Sequence, residues 1–568
     1  MMSLSIFEET ALSGISGVKM TRRSVLILLL GLGVVGVPAA AVSPPGQPFT
    51  MNGWQFHEYN MPKLREAINK APEYGVNFFI FSHQFFRSVD GFLKSGERQR
   101  DVLEAAALAQ QKKIAVYLWV HEFDDIPDKY KTARRVNFDD PELFQYLERR
   151  YDQLLAVVPG AAGLVVTFHE SNNKIFRNSE VASKLPVPER LYRISRFFYD
   201  LSKKHNKQLI IRNFFYEPLE MDYFAAALAR LPDDLVVMSK DTCHEFDPFY
   251  PPDPMHGKVG KKRQIIEFDL GVEKAWSWQG PYAQVGYIQK FAQRAKEKGL
   301  AGMVGRCRLV WDKPFENVQE VNLYAFSRFL KDPDVGAEQV WKDWAARRYP
   351  EHAAPYIIAA LQRTEFINHN GRYFLGLWLT KSIGAEWDNY RYYLGHVLQR
   401  PRSKWSNDPA DKALEEASYN PDEALFRKFV AEKDEVLKQV KASIADLDQA
   451  ARYMTPAQMA PLRQGFDLLL DAAKLYREWT RAYFAQRRWI NKPNEQDAMA
   501  VEDALARLEA LDRAPGVTYG LNPETGHRYN LDHFVLEMRW RMKNRSRALE
   551  EDRRVLERIR ETADVENR

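Results

Sequence analysis

Cysteine is nearly absent: the 568 residues hold two, which leaves neither a disulfide framework nor a zinc-ligand spacing. Cys243 and Cys307 both fall at the ends of predicted strands. One bridge across a barrel mouth stays open, and two free, half-buried thiols are expected. Clustered charge is also missing. The net charge of +5 is spread over the whole chain without a basic block, so nucleic-acid binding, which wants a concentrated patch, is excluded. No apolar run reaches the ~20 residues of a spanning helix, so no membrane span is expected in the mature chain. Internal repeats and low-complexity linkers are missing. No Gly-rich loop follows the first predicted strand, which argues against a dinucleotide-binding sheet.

What the chain does have begins with a leader. Arg22-Arg23 precedes an apolar run from Val25 to Val37, and Ala39-Ala40-Ala41 then supplies a small-residue cleavage pattern. The order Thr-Arg-Arg-Ser-Val-Leu resembles a twin-arginine signal, against the plainer reading of an ordinary secretory signal with two arginines. Residues 1–43 are therefore expected to be a signal peptide, and the protein periplasmic or secreted. No cysteine follows the run to carry a lipid anchor.

From about residue 50 to 332 strand-like and helix-like stretches alternate. Strands are predicted at Met51–His57, Val76–His83, Ile114–Glu122, Gly163–Glu170, Gln208–Tyr216, Leu235–Asp241, Gln264–Leu270 and Ala301–Cys307. Helical stretches fill most gaps, as in Pro141–Val158 and Pro188–His205. Eight strands in α/β alternation predict a (β/α)8 barrel. Between the sixth and seventh strands, Asp247–Lys262 is Pro-rich and has no helical period, which predicts a long loop on one barrel face. From 333 to 568 no strand-like run occurs. Asp422–Met454 and Pro456–Trp489 space their apolar residues by three and four, as packed antiparallel helices do. An all-α C-terminal domain is expected, and its helices leave a homodimer open.

Chemistry in such a barrel gathers where strands leave the core. Glu170 ends the fourth strand, in Gly163–Ser171. Glu245 lies just past the sixth. Glu267 sits inside the apolar seventh, where a carboxylate is costly unless it faces polar groups; side-chain alternation puts Asp269 on the same face. Hydrolysis of a glycosidic bond needs one carboxyl to protonate the leaving group and another to activate water or attack, and three converging carboxylates would supply both. Each alone reads equally well as a structural rim residue. His57, His83, His121, His169 and His244 also sit at or past strand ends, four of them before a glutamate. The pattern allows a metal site, but the paired His-x-His of many barrel metal hydrolases is missing, and neutral imidazoles binding sugar hydroxyls fit better. Trp54, Trp119, Trp276, Trp278 and Trp311 near the same ends suit stacking on sugar rings, or packing under the outer helices.

Several segments together resemble the glycoside hydrolase family 67 α-glucuronidases. Ile210-Ile211-Arg212-Asn213-Phe214-Phe215-Tyr216 is similar to that family's fifth-strand motif. Glu245-Phe246-Asp247-Pro248 and Ile266-Glu267-Phe268-Asp269 are similar to the segments carrying its two base carboxylates. Gly299-Leu300-Ala301-Gly302-Met303 and Asn322-Leu323-Tyr324-Ala325-Phe326 are similar to its eighth strand and helix. The resemblance implies an inverting glycosidase without cofactor, with Glu170 as general acid and Glu245 and Glu267 as bases. Arg212 would bind a uronate carboxylate, with His169, Trp119, His121, Asp269 and Trp311 around the sugar. The chain departs from the family in three places. Glu245 stands for an aspartate, Val166 or Thr167 for a carboxylate-binding lysine, and the N-terminal β domain is missing. The substrate expected is a plant- or algal-type polysaccharide or oligosaccharide. A non-catalytic glycan-binding barrel and a metal-dependent hydrolase using the strand-end histidines are the competing classes.

Overall fold

The computed structural model describes residues 48–371, 373–378, 402–512 and 531–566, less positions 87, 245, 272–279 and 308–314. The predicted leader, Glu245, Trp276, Trp278 and Trp311 thus lie outside the described residues.

Eight parallel strands close into a barrel: β1 Met51–Phe56, β2 Phe78–Phe81, β3 Ala115–His121, β4 Gly163–Thr167, β5 Gln208–Arg212, β6 Val236–Lys240, β7 Arg263–Asp269 and β8 Gly302–Cys307. Each pairs with its sequence neighbours, and β8 closes on β1. Alternation along the strands sorts the residues. Met51, Ile80, Trp119, Ile210, Met238, Ile265 and Val304 fill the inside, while Phe56, Leu118, Val166, Ile211 and Phe268 join the shell beneath the helices. The same period of two carries Arg212, Lys240, Glu267 and Arg306 inward at the carboxyl ends of β5 to β8. At the other end of β4, Gly163 permits the close approach of β5: a Cβ there would lie 1.9 Å from the Gln208 carbonyl oxygen.

The predicted strands are observed, shorter at their ends. Ladder pairing of β4 stops at Thr167, so Glu170 stands three residues beyond the strand in the following bend rather than on it. The β6–β7 connection has no helix, as its composition predicts, and folds back through a Thr242–Pro252 bridge. Elsewhere local signals set the helices. Asp140 accepts from Glu142 N at 2.9 Å ahead of Pro141 and starts α1, Pro141–Val157. The helix α2, Val187–Lys204, follows β4. A reciprocal capping box of Glu217 and Glu220 starts α3, Pro218–Leu228.

Beyond the barrel, α4 (Ala354–Gly371), α5 (Glu423–Ala450), α6 (Pro456–Asn491) and α7 (Glu495–Asp512) form a helical region. The caps Asp422 and Thr455 lie where the apolar period of α5 and α6 begins. One element goes against the strand-free reading of this half. Tyr373–Phe374 pairs antiparallel with Leu377–Trp378 across Leu375 and Gly376, at φ 52° and 79°. Two positive φ values mark a tight two-residue hairpin turn, and strands of two residues are too short to show a period. Among the described residues no helix is long and apolar enough to cross a membrane.

Candidate active site

The barrel mouth centres on Arg212, the last residue of β5. Its Nε donates to Glu267 Oε2 at 2.7 Å, and its Nη1 donates to Glu170 Oε2 at 2.7 Å and to Thr167 Oγ1 at 3.4 Å. One guanidinium thus joins carboxylates from β7 and from the loop after β4. Its face lies 4.6 Å over the ring of Trp119, which is wholly buried. The fork of a guanidinium suits such a double engagement, where an ammonium would offer a point charge.

The two carboxylates differ in access. Glu170 is 29% exposed and Glu267 is 0% exposed. Among the described residues Glu267 Oε1 has no hydrogen-bond partner, so one acceptor remains open at the bottom of the mouth. Lys240 stands beside Glu267 in the β6–β7 register, and Arg306 beside Asp269 in the β7–β8 register. Three buried cations, Arg212, Lys240 and Arg306, therefore accompany the buried acids Glu267 and Asp269, which limits the cost of holding charge away from water. Lys240 Nζ also lies 3.7 Å from the Phe214 ring centre and 4.5 Å from that of Phe246, with Arg306 on Phe246 at 5.0 Å. Phe246 takes φ 57°. A left-handed backbone is costly for a bulky residue and persists only where its surroundings enforce it; here two cations clasp the ring.

The histidines divide into two groups. His57, His83 and His121 gather round Trp119: His83 lies 4.7 Å from His121 and 5.2 Å from Trp119, and His57 5.0 Å from Trp119. Burial, and then the charge of Arg306, pushes His57 well below its usual range. Burial and His121 bring His83 down to about 4. Both are therefore neutral near pH 7. His121 donates through Nδ1 to Asp124 at 2.8 Å. The structure places His169 differently. It is wholly buried, stacks on Phe176 at 4.2 Å and meets Glu220 Oε2 through Nε2 at 2.9 Å. Glu220 also accepts from Tyr216 N and Glu217 N, so His169 ties the β4 loop to the start of α3.

Lys240, Arg306 and Asp253 are the residues the sequence reading missed. The first two could have been found by extending the inward parity of Met238 and Val304 by two positions. Asp253, in the unpatterned β6–β7 loop, gave no signal. Its carboxyl accepts from Asn213 Nδ2 at 3.0 Å and Met255 N at 2.7 Å, and burial pushes it up to about 7. A carboxyl held above its unfolded value stabilises fully below that value and loses the contribution as pH rises through about 7. Wild type should therefore lose on the order of 4 kcal/mol from this group between pH 4 and 8. In Asp253→Asn the loss should vanish, since the amide of Asn213, whose Oδ1 has no partner among the described residues, can turn to accept. Urea unfolding of both proteins at pH 5 and pH 8.5 checks this; parallel pH dependences would remove Asp253 as the group responsible.

Cys243 and Cys307 are both free and buried. Among the described residues no three His, Cys, Asp or Glu side chains converge to hold a metal ion.

No protein-family model matches the chain, and no curated protein matches it in sequence. Solved structures do. A GH138 enzyme targeting pectin rhamnogalacturonan II superposes with a TM-score of 0.58 at 13% identity, over 82% of this chain and 62% of that one. The chain thus spans under two thirds of that enzyme's length. The Thermobaculum terrenum O-GlcNAc hydrolase gives 0.45 at 13% identity, over 87% and 94% of the two chains. CpGH84D gives 0.43 at 12% identity, over 87% and 75%. At 13% identity the likeness to the GH138 enzyme shows the barrel fold and nothing finer.

Proposed function

We propose that this chain is a glycoside hydrolase of α-glucuronidase-like, inverting type that cleaves a plant- or algal-type oligosaccharide or polysaccharide. One observation carries the reading: Glu170 and Glu267, from opposite sides of the mouth, share one buried guanidinium, that of Arg212. Glu170, the more accessible, is the general acid that protonates the bridging oxygen. Glu267, below it with one oxygen open, is the base that takes a proton from the attacking water. The sequence adds Glu245, from the segment after β6, as its companion. Arg212 is the positioning residue that fixes the distance between them, and a uronate carboxylate reaching it would have to displace one of the two glutamates. His57 and His83, neutral at working pH, offer ring nitrogens to sugar hydroxyls, with His121 at the end of β3 and Asp269 at the end of β7. The fold shared with an enzyme targeting pectin rhamnogalacturonan II is in keeping with a carbohydrate substrate. Export is part of the proposal, on the strength of Arg22-Arg23 and the apolar run behind them.

Incubation with a panel of uronate-bearing and neutral oligosaccharides, read by release of new reducing ends, tests the reading. Release from at least one is expected and should disappear in Glu267→Gln. Binding of a sugar that no incubation cleaves would favour the non-catalytic barrel instead.

A further inference from the structure

Away from the glutamates, the loops after β3 and β4 are zipped together. Arg135–Asn137 pairs in parallel with Val181–Ala182, and Lys131–Thr132 adds a third strand. Both loops leave carboxyl ends of barrel strands, so they belong to the same end of the barrel as Glu170. Between this small sheet and the first turn of α2 lies a depression of about 500 Å³, lined by Arg135, Asn178, Ser183, Lys184 and Arg190 together with four apolar residues. That volume is in the range of small-molecule sites, ~300–1,000 Å³. Three of its lining residues are cations and none is an acid.

Arg190 is the unusual member. It is 1% exposed, and its Nη2 donates to Asn178 Oδ1 at 2.7 Å. Among the described residues its Nε and Nη1 have no partner, and burial pushes its pKa down. A guanidinium stripped of water and left without an anion is costly, and the surrounding acids are engaged elsewhere. Glu189, in the first turn of α2, pairs with Arg230. Asp139, whose charge does reach Arg190, accepts from Ser183 Oγ and Lys184 N, each at 2.7 Å. Glu180 is held by Lys174 and Arg177. Arg135 gives Nη1 to the Asn178 carbonyl at 3.1 Å, which fixes it at the rim. The arrangement is a floor and two walls of positive charge with donors to spare, the inverse of what a neutral sugar needs.

We propose that this depression is an oxyanion subsite that binds an acidic sugar unit of the substrate, through a carboxylate or a sulfate ester, at a distance from the bond being cleaved. The inference rests on the reading of the chain as carbohydrate-active and specifies it: the polysaccharide is acidic. The eight-residue step from Glu170 to Asn178 bounds the separation of subsite and acid at about 29 Å, the extended length of that segment. A chain of a few sugar units can span less than that. Arg190 receives the anion at the floor, and Arg135 and Lys184 close on it from the rim. Electrostatic recognition here acts on affinity and leaves the chemistry at Glu170 and Glu267 unchanged.

The test is calorimetric binding to the full chain, independent of turnover. The probes are trigalacturonate, its methyl ester, and a sulfated oligosaccharide of similar length, titrated into wild type and into Arg135→Gln/Lys184→Gln. Arg135 is half-buried and Lys184 exposed, and neither is a catalytic glutamate, so the double variant should fold; Arg190→Gln is added with its fold checked by circular dichroism. At least one acidic probe should bind wild type tenfold or more tighter than it binds the double variant, and the methyl ester should bind both alike. Which acidic probe responds separates carboxylate from sulfate. Turnover of a small aryl glycoside should not change in the double variant. Equal binding of acidic and esterified probes, or acidic binding untouched by the double variant, would overturn the subsite even if the enzyme hydrolyses its panel. Charge-dependent binding at Arg135 and Lys184 with no hydrolysis would keep the subsite and remove the hydrolase reading.

Discussion

Glu170→Gln should lower kcat on an oligosaccharide by about 10²–10⁴-fold, the usual worth of a positioned general acid. An aryl glycoside with a good leaving group should lose far less, because its departure needs little proton help. The geometry behind the prediction is that Glu170 is the accessible carboxyl of the pair, 29% exposed, and is held at the rim by Arg212 Nη1. A glutamine at this position keeps the size and can still accept from Arg212, so the variant isolates the proton from the packing. The comparison needs both substrate kinds at saturating concentration. Equal losses on the two would mean that Glu170 acts elsewhere in the cycle, and the acid assignment would fall.

Arg212→Met should be the most damaging change outside the glutamates. The side chain is 1% exposed and neutralises Glu267, which is not exposed at all. Removing one partner of a buried ion pair leaves the other charge uncompensated, at a cost of about 3–5 kcal/mol. A clear fall in melting temperature is expected, together with loss of turnover. Arg212→Lys separates the roles. An ammonium restores the charge but cannot reach Glu170 and Glu267 from two fixed nitrogens, so kcat should fall by tenfold or more while KM changes little. A large rise in KM confined to uronate-bearing substrates would instead make Arg212 a carboxylate-binding residue.

The barrel could be read from the chain because the strands announce themselves by composition and most of the connecting helices by period, and the breaks between them carry Pro, Gly or a capping acid. The inward place of Glu267 was also legible, since a lone carboxylate between Ile265, Ile266 and Phe268 has nowhere else to go. What could not be read is convergence. Nothing local to Arg212 says that its two neighbours are Glu170 and Glu267, because those contacts span 42 and 55 residues. Lys240 and Arg306 are hard to read because a cation at a strand end looks like a solvated cap until the parity of its neighbours is followed. From the sequence Glu170 reads as the polar end of the strand that starts at Gly163, whereas ladder pairing ends at Thr167. His169 shows the limit of residue type as a guide. Its stacking on Phe176 and its bond to Glu220, 51 residues on, depend on a fold-back that no spacing reveals. The hairpin at Tyr373–Trp378 leaves no sequence signal because its strands of two residues are below any period.

The central claim, that Glu170 and Glu267 face each other across a glycosidic bond with room for water, is tested most directly by proton NMR of the first product. Acid and base in an inverting pair stand ~6.5–9.5 Å apart, against ~5–5.5 Å where the second carboxyl attacks the sugar itself. On the best substrate from the panel, spectra taken before mutarotation should show a new reducing end of configuration opposite to the bond cleaved. A product of retained configuration would contradict the account.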